Sequence, residues 1–437
     1  GSSITDCRGF TFYLRHCQIR EGDISAQFKP SMPRAVLIQL ARLGDLVQSL
    51  PVISALHSLH PEQPLDLICP APLVPVGKLF PGISEVYPWD GALWRPDGGA
   101  RGNSWREQFH HIRRLWTQQA FPAYQVAYNL NNHPRGILAA HLLADRVFGQ
   151  GAWGAINPRL SPWGDYLLRV ARNRGQNRIH LSDAFCGLCE VRPPREGPRI
   201  SPEKFDLPIG LESFPDWSDR QIVGLILGAG DAERRIPVSI WKAVIQKCVS
   251  AHPDSMILLI GGREESEIAL ALESSLPSRC LHLVVNMCGR TSLLELVNVL
   301  SRCHWVVGSD TGPLHLSVLC GAKAVGWYFA RARVHETGPY GEGHYVWQYH
   351  QSVGPYSNEN SELTGRPGLP QVWPVEETIG LLSGDTVNSS KGPWSLWESQ
   401  HDALGTFYQA RDYPENLHDI RRKIWEALSP TVASAAS

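Results

Sequence analysis

The chain has 437 residues, of which 43% are hydrophobic and 19% are charged, and its formal net charge is −1. The length predicts two or three globular domains, and the balanced charge excludes a global basic field, so we expect no nucleic-acid partner. The apolar runs are far shorter than the roughly 18 to 20 residues that span a bilayer, so we predict a soluble, cytoplasmic protein.

The first predicted unit follows an N-terminal extension over residues 1–33. A short apolar run at 35–40 is typical of a buried parallel strand, and apolar residues three and four apart from Leu46 onward predict an amphipathic helix. Gly44 permits a tight turn between them, and Asp45 falls in the first helical turn, where the dipole favours an ionised carboxylate. Ligands of open α/β sheets bind at the carboxyl ends of strands, so Asp45 is a candidate site residue; the alternative is a helix cap.

Strands and helices alternate over the following residues. We predict strands at 65–69, 85–87 and 125–130, and helices at 104–119 and 136–144. This alternation favours a parallel sheet with helices on both faces. Polar residues follow the last of these strands, and Asn131, His133 and Arg135 suit hydrogen bonds to sugar hydroxyls; an exposed polar loop is the alternative.

Six prolines and few apolar runs place an interdomain linker within residues 191–220. A second series of strands and helices begins with a predicted strand at 222–227. The turn after it contains Gly228, Gly230, Arg234 and Arg235. A glycine-rich turn lets the backbone approach a pyrophosphate, whose oxygens Arg binds through two parallel hydrogen bonds.

A third strand, turn and helix are predicted from residue 304 onward. The turn offers a carboxylate on Asp310, a hydroxyl on Thr311 and accessible N–H groups around Gly312, a combination typical of phosphate or sugar-diphosphate sites. His315 follows about one helical turn later. The alternative is an ordinary turn with a structural histidine.

The ten cysteines are too dilute and irregular for a disulfide framework. His180, Cys186 and Cys189 form the one group that suggests a metal or redox site. A metal site needs three or four ligands, and no second Cys-x-x-Cys pair follows. We therefore favour packing on a helix and predict no metal, although metal binding by the two cysteines stays open.

The C-terminal part is predicted to be helical. After a long loop at 352–374, the sequence predicts helices at 394–410 and 414–428, the second with a continuous apolar stripe. This part and the N-terminal extension are longer than the two predicted domains require. One or both are candidates for an acceptor or subunit contact.

Two motifs carry a resemblance to a known family. Gly44-Asp45 with the following Pro51, and Asp310 to His315 followed by Thr337-Gly-Pro-Tyr-Gly341, resemble the hallmark motifs of glycosyltransferase family 9, the heptosyltransferases. The resemblance implies a GT-B fold, with two Rossmann-like α/β domains whose parallel sheets face across a cleft, plus a helical C-terminal extension. The implied segments are an acceptor-binding domain at 34–200, a nucleotide-sugar donor-binding domain at 215–385, and helices at 386–437 that pack back on the first domain.

The resemblance also implies roles for site residues. The family usually has a Lys in the first donor-domain turn, which Arg234 or Arg235 replaces here; which of them contacts the diphosphate stays open. A ribose-binding acid lies near the next turn in the family, where Glu264 or Glu265 fits, unless both only favour a helix N-terminus. Asp45 is expected to be the general base. Donor binding is expected at Gly228, Gly230, Asp310, Thr311, Gly312 and His315, and acceptor binding at Gly44, Asn131, His133 and Arg135.

The implied activity is inverting transfer of a heptose from an ADP-activated donor to a lipopolysaccharide core sugar or a protein, without a cofactor. No Asp-x-Asp motif follows a donor-side strand, so no catalytic metal is expected. The alternatives are a nucleotide-sugar epimerase of the same architecture and a catalytically silent sugar- or nucleotide-binding protein. The identity of the acceptor (glycan, glycolipid or protein), peripheral contact with the inner membrane and homo-oligomer formation stay open.

Overall fold

The structure is a computed structural model that describes part of the chain. The described residues are 34–89, 121–151, 161–201, 220–350, 369–410 and 415–429. The predicted N-terminal extension, the predicted helix at 104–119 and most of the predicted linker lie outside these residues.

The first half contains a five-stranded sheet in which every pair of neighbours is parallel, in the order β3-β2-β1-β4-β5. Its strands are β1 Ala35–Ile38, β2 Leu65–Pro70, β3 Val86–Trp89, β4 Tyr124–Asn129 and β5 Ala144–Gly149. The helices of this half are α1 Leu43–Val47, α2 Leu50–Leu59, α3 Val74–Gly77, α4 Pro134–Leu143, α5 Pro162–Arg172 and α6 Leu181–Leu188. The strands predicted from the apolar runs are therefore present.

The second half contains a separate nine-stranded sheet in the order β12-β13-β11-β10-β9-β6-β7-β8, with β14 paired to β13. Its parallel strands are β6 Ile222–Ile226, β7 Met256–Ile260, β8 Val284–Asn286, β9 Trp305–Gly308, β10 Lys323–Tyr328 and β11 Tyr345–Tyr349. Three antiparallel strands follow, β12 Ser390–Lys391, β13 Trp394–Asp402 and β14 Gly405–Ala410. The helices are α7 Val238–Ala251, α8 Ser266–Ser275, α9 Ser278–Leu281, α10 Leu293–Leu300, α11 Gly312–Leu319, α12 Val334–Thr337, α13 Val375–Ser383 and α14 Leu417–Leu428. A parallel sheet in the first half and a mainly parallel sheet in the second half, each with helices, confirm the predicted α/β fold.

One apolar core is shared by the two halves. In β1, Ala35 and Leu37 point into this shared core, whereas Val36 and Ile38 point into a smaller cluster on the opposite face of the sheet. This alternation is what a strand buried on both faces requires, because successive side chains point to opposite sides. The shared core also holds Leu314 of α11, so the apolar contact between the halves is continuous with the interior of each half.

The predicted helix at 394–410 is wrong, because these residues form the β13–β14 hairpin. Aromatic and β-branched residues favour strands, and Trp394 and Trp397 are almost fully buried against the second sheet. The hairpin turn ends at Gly405, whose φ of +97° is a left-handed conformation that favours glycine. The second sheet therefore extends beyond residue 385, and the C-terminal part is a hairpin followed by a helix.

The predicted helix at 414–428 is present as α14, and it packs against the first half. The rings of Trp425 and Trp163 lie 4.4 Å apart, and the indole N–H of Trp163 donates to Ser429 Oγ at 2.8 Å. One helical turn before Trp425 on the same buried face, the fully buried Arg421 donates to Asp402 Oδ2 at 2.9 Å. The helix therefore links α5 of the first half to the hairpin of the second sheet.

Asp183 of α6 is a second link between the halves. Its buried carboxyl accepts a hydrogen bond from the hydroxyl of Tyr340 at 2.7 Å and another from the backbone N–H of Thr406 at 3.0 Å. Burial raises the pKa of Asp183 to about 8, against the opposing charge of Arg421. Both donors belong to the second half, so the Asp183 side chain joins the first half to the second through two buried hydrogen bonds.

We expect Asp183→Ala to lower the free energy of unfolding by about 3 kcal/mol, because two buried donors lose their acceptor. Urea denaturation measures this loss. The control is Asp165→Ala, which removes only an exposed ion pair with Arg169 and should cost less than about 1 kcal/mol. Equal losses in the two variants would show that Asp183 does not stabilise the contact between the halves.

Candidate active site

The strand-to-helix turns of the two halves meet at two glycines. A Cβ atom at Gly312 would lie 3.0 Å from Leu43 Cβ and 3.1 Å from Gly44 N, and one at Gly44 would lie 3.6 Å from Gly312 Cα. Gly44 lies in α1 without a positive φ, so the tight turn does not require a glycine there, and a Cβ atom at this position would meet Gly312 only at an ordinary contact distance. The contact brings the first turn of α1, which carries Asp45, against the turn that carries Asp310.

A cavity of about 550 Å³ lies between the halves at this contact. Nine of the ten residues predicted to bind a donor line it, namely Gly228, Gly230, Arg234, Glu264, Glu265, Asp310, Thr311, Gly312 and His315. The first half contributes the other wall through Arg42, Leu43, Gly44, Asp45 and Gln48. We call this space the interdomain cavity.

Arg234 and Arg235, which the sequence could not distinguish, point to different places. Arg234 lines the interdomain cavity, where its Nη1 donates to the backbone oxygen of Asp310 at 2.7 Å. Arg235 is not among the lining residues, and its Nη2 lies 3.7 Å from Glu265 Oε1. Arg234 is therefore the arginine placed to contact a ligand in this cavity.

Asp310 is the most densely paired carboxylate of the site. His315 Nε2 lies 3.0 Å from its Oδ1, and Thr337 Oγ1 donates to its Oδ2 at 3.2 Å. Burial by itself would raise the pKa of this carboxyl, but the hydrogen bond with His315 and the charge of Arg234 hold it below the ordinary value. Asp310 is thus an ionised anchor that fixes the ring of His315.

The N-terminus of α11 faces the same cavity. Thr311 precedes the helix, and its buried hydroxyl has no hydrogen-bond partner among the described residues. Unpaired buried hydroxyls are uncommon, and the first N–H groups of a helix have no partner within it. Hydroxyl and helix N-terminus together can bind an anion.

The two glutamates after β7 that were predicted to bind ribose differ in burial and in hydrogen bonding. Glu265 is buried, and its carboxylate accepts a hydrogen bond from the N–H of Gly262 at 2.9 Å, which fixes the turn. Glu264 also lines the interdomain cavity, but its side chain is 85% exposed. Glu264 is therefore the acid with carboxylate oxygens accessible to a ligand.

A second cavity of about 540 Å³ lies beside the carboxyl ends of β1 and β4. Leu40, Pro70, Trp89, Leu130 and Phe185 give it apolar walls, and Gln39, Asn131, Asn132 and His133 give it polar ones. We call it the first-half cavity.

The residues predicted to bind an acceptor differ in whether their side chains are available to a ligand. Asn131 lines the first-half cavity, but its amide is engaged by the protein: Oδ1 accepts from Leu40 N at 2.7 Å and Nδ2 donates to Ile38 O at 2.8 Å. It therefore shapes the cavity. His133 is exposed on the cavity wall, and the side chain of Arg135 lies outside the described part of the structure.

Asp45 is common to the linings of both cavities. It is half-buried, and its Oδ2 accepts a hydrogen bond from Arg42 N at 3.3 Å. Burial raises the pKa of this carboxyl above its ordinary value, and this effect outweighs the backbone hydrogen bond that lowers it. Desolvation therefore makes Asp45 more basic than an exposed aspartate, although its place in the first helical turn favours the ionised form.

The side chains of the group formed by His180, Cys186 and Cys189 are buried and contribute to packing and helix capping. His180 caps α6 by accepting from Ser182 N and contacts Gly338 O through Nε2 at 2.7 Å. Both cysteines are buried, and burial raises the pKa of each thiol. Over the described ranges, no group of three or more His, Cys, Asp or Glu side chains is arranged to hold a metal ion.

Several lining residues were not predicted from the sequence. Arg42 lies three residues before Asp45, just ahead of the Gly44-Asp45 motif, and it was not among the predicted site residues. Trp89 and Phe185 wall the first-half cavity, but they belong to distant parts of the chain, so no local pattern indicated their proximity. None of the helices in the described part is long and apolar enough to cross a membrane.

Comparison with known proteins identifies relatives of this chain. The sequence model of glycosyltransferase family 9 (heptosyltransferase) matches residues 189–364, which confirms the family resemblance. Lipopolysaccharide heptosyltransferase 2 of Salmonella typhimurium is 23% identical over 301 residues, covering 65% of this chain and 80% of the relative. Lipopolysaccharide core heptosyltransferase OpsX of Haemophilus influenzae is 21% identical over 344 residues, covering 77% and 88%.

Solved structures show the same fold. A glycosyl transferase family 9 protein from Veillonella parvula superposes with a TM-score of 0.60 at 16% identity, covering 82% of this chain and 98% of that chain. The ADP-heptose lps heptosyltransferase II of E. coli superposes with a TM-score of 0.51 at 17% identity, covering 70% and 87%.

The close contact between Gly312 and the turn at Gly44 can be tested by substitution. Gly312→Ala places a methyl group 3.0 Å from Leu43, so we expect a loss of about 1 to 3 kcal/mol in the free energy of unfolding. Gly175→Ala is the control, because its Cβ would meet no atom within 4 Å. Thermal and urea unfolding compare the two variants, and equal stability would show that the turns can separate without loss.

Proposed function

We propose that this heptosyltransferase-like glycosyltransferase transfers a heptose, with inversion, from an ADP-activated donor to a lipopolysaccharide core sugar or to a protein. The observation that carries the proposal is the position of Asp45, a carboxylate shared by two cavities. The interdomain cavity has the features of a diphosphate site, and the first-half cavity has the features of a sugar site. A base between donor and acceptor is what direct transfer requires.

Asp45 is proposed as the general base. The acceptor hydroxyl transfers its proton to Asp45 as its oxygen bonds to the anomeric carbon of the donor. The bond from that carbon to the diphosphate oxygen breaks with its electron pair leaving on the diphosphate. A base with a pKa nearer the working pH is more effective, and the partial burial of Asp45 changes its pKa in that direction.

The second half is proposed to hold the donor. Arg234, the Thr311 hydroxyl and the N-terminus of α11 line the part of the interdomain cavity that is proposed to bind the diphosphate. Positive groups and N–H dipoles fixed before the reaction stabilise the charge that develops on the leaving group. Glu264 is proposed to accept a hydrogen bond from a ribose hydroxyl.

Similarity supports the nature of the donor and the acceptor. A structure of E. coli heptosyltransferase WaaC contains ADP, and it superposes on this chain with a TM-score of 0.51 at 17% identity. The relatives from Salmonella and Haemophilus are named for heptose transfer to lipopolysaccharide. The aromatic walls at Trp89 and Phe185 suit the apolar face of a sugar ring. That the reaction proceeds without a metal remains a prediction.

We expect Asp45→Asn to slow sugar transfer by about a hundredfold to ten-thousandfold with near-native stability, because the amide keeps the shape but cannot take the proton. In the wild type, kcat/KM should fall as the pH drops through the pKa of Asp45, with a midpoint above 3.8 since burial raises that pKa. Transfer rates measured across pH with ADP-heptose test both. Wild-type rates in the variant would show that Asp45 is only a helix cap.

We expect His315→Ala to weaken the binding of ADP by about tenfold, because His315 lines the interdomain cavity and its loss leaves Oδ1 of the ionised Asp310 without its partner beside the bound anion. Calorimetric titration measures the affinity, and thermal unfolding checks the fold. His282→Ala is a control that removes an exposed histidine outside the cavity lining. Unchanged affinity in His315→Ala would show that the motif has only a structural role.

A further inference from the structure

Two arginine side chains, one from each half, converge on Gly230. A Cβ atom there would lie 3.1 Å from Arg234 Nη2 and 3.3 Å from Arg42 Nη1. Arg42 belongs to the β1–α1 turn, whereas Arg234 and Gly230 belong to the second half. The absence of a side chain at Gly230 leaves space for both guanidinium groups.

The two arginines differ in their partners. Arg234 is held by Asp231 Oδ2 at 2.9 Å and by the backbone oxygen of Asp310. Arg42 is exposed, and its guanidinium makes no ion pair with any residue in the described ranges. Two like charges brought together repel unless an anion lies between them. At this cavity wall Arg234 is paired with the carboxylates of Asp231 and Asp310, whereas Arg42 is paired with no carboxylate of the described residues.

We propose that Arg42 binds the diphosphate of the donor from the opposite wall of the cavity and stabilises it as it leaves. The inference rests on the proposed function, and it adds a diphosphate contact from the first half. Arg42 and Arg234 would then grip the same anion from the two halves. A planar guanidinium suits this role because it binds two phosphate oxygens at once.

Arg42 also contacts Asp45, the proposed general base. The backbone N–H of Arg42 donates to Asp45 Oδ2 at 3.3 Å, so the turn that carries the guanidinium also orients the carboxylate. During transfer the anomeric C–O bond breaks, its electron pair goes to the diphosphate oxygen, and the acceptor proton goes to Asp45. The diphosphate gains one negative charge in this step, so a cation fixed beside it stabilises the transition state more than the bound donor.

The experiment measures nucleotide binding to the full chain by equilibrium dialysis, with labelled ADP and labelled adenosine. Arg42→Met should bind ADP about tenfold to a hundredfold more weakly than wild type, while its affinity for adenosine stays the same, because adenosine has no phosphate. Arg42→Lys keeps the charge but loses the paired hydrogen bonds, so its ADP affinity should be intermediate. The matched control Arg169→Met removes the same charge from an exposed position on α5 and should bind ADP like wild type.

The outcomes separate the inference from the proposed function. If wild type does not bind ADP, the proposed donor is wrong, and the proposed function fails whatever the Arg42 variants do. If wild type binds ADP and Arg42→Met binds it equally well, Arg42 does not contact the diphosphate. An equal loss for ADP and adenosine also overturns the inference, because it would mean that Arg42 supports the nucleoside end or the fold. Urea denaturation of each variant confirms that it is folded.

Discussion

The close approach of Gly44 and Gly312 is the constraint on which the site depends. It allows the backbones of two helix-initiating turns, one from each sheet, to touch without side chains between them. A Cβ atom at Gly312 would lie 3.0 Å from Leu43 Cβ, so Leu43 would have to shift by a few tenths of an ångström to admit it. The contact is also continuous with the apolar core that the halves share, so the geometry of the site is supported by the interior of the protein.

Two further buried contacts fix the relation of the halves. Asp183 accepts hydrogen bonds from Tyr340 and Thr406, and α14 packs its Trp425 on Trp163. Both contacts involve the β13–β14 hairpin or the helix after it. The C-terminal part therefore helps to fix the position of one half against the other. The cavity between the halves depends on these contacts as well as on the contact between the two turns.

The carboxylates of the cleft are divided by their surroundings. Asp310 is held ionised by His315 and Arg234, whereas burial makes Asp45 more basic. The two aspartates on either side of the Gly44–Gly312 contact therefore have pKa values shifted in opposite directions. An anchored anion orients the groups around a diphosphate, and a basic carboxylate is suited to accept a proton, which is the division of roles that sugar transfer to a hydroxyl requires.

The sequence by itself determined strands β1 to β4, β6 and β9 and the turns that follow them, and nine of the ten residues that it predicted to bind a donor line the interdomain cavity. This succeeded because apolar runs, glycines and helix-initiating residues are local signals, and because the carboxyl ends of parallel strands collect at one edge of a sheet. The tertiary structure alone decided that Arg234 enters the cavity while Arg235 does not, and that the Asn131 amide is used internally. It also decided that residues 394–410 form strands, because their burial against the edge strand β11 outweighs their local helical pattern. The basicity of Asp45 and the convergence of Arg42 and Arg234 depend on contacts between residues far apart in the chain, and no local pattern records such contacts.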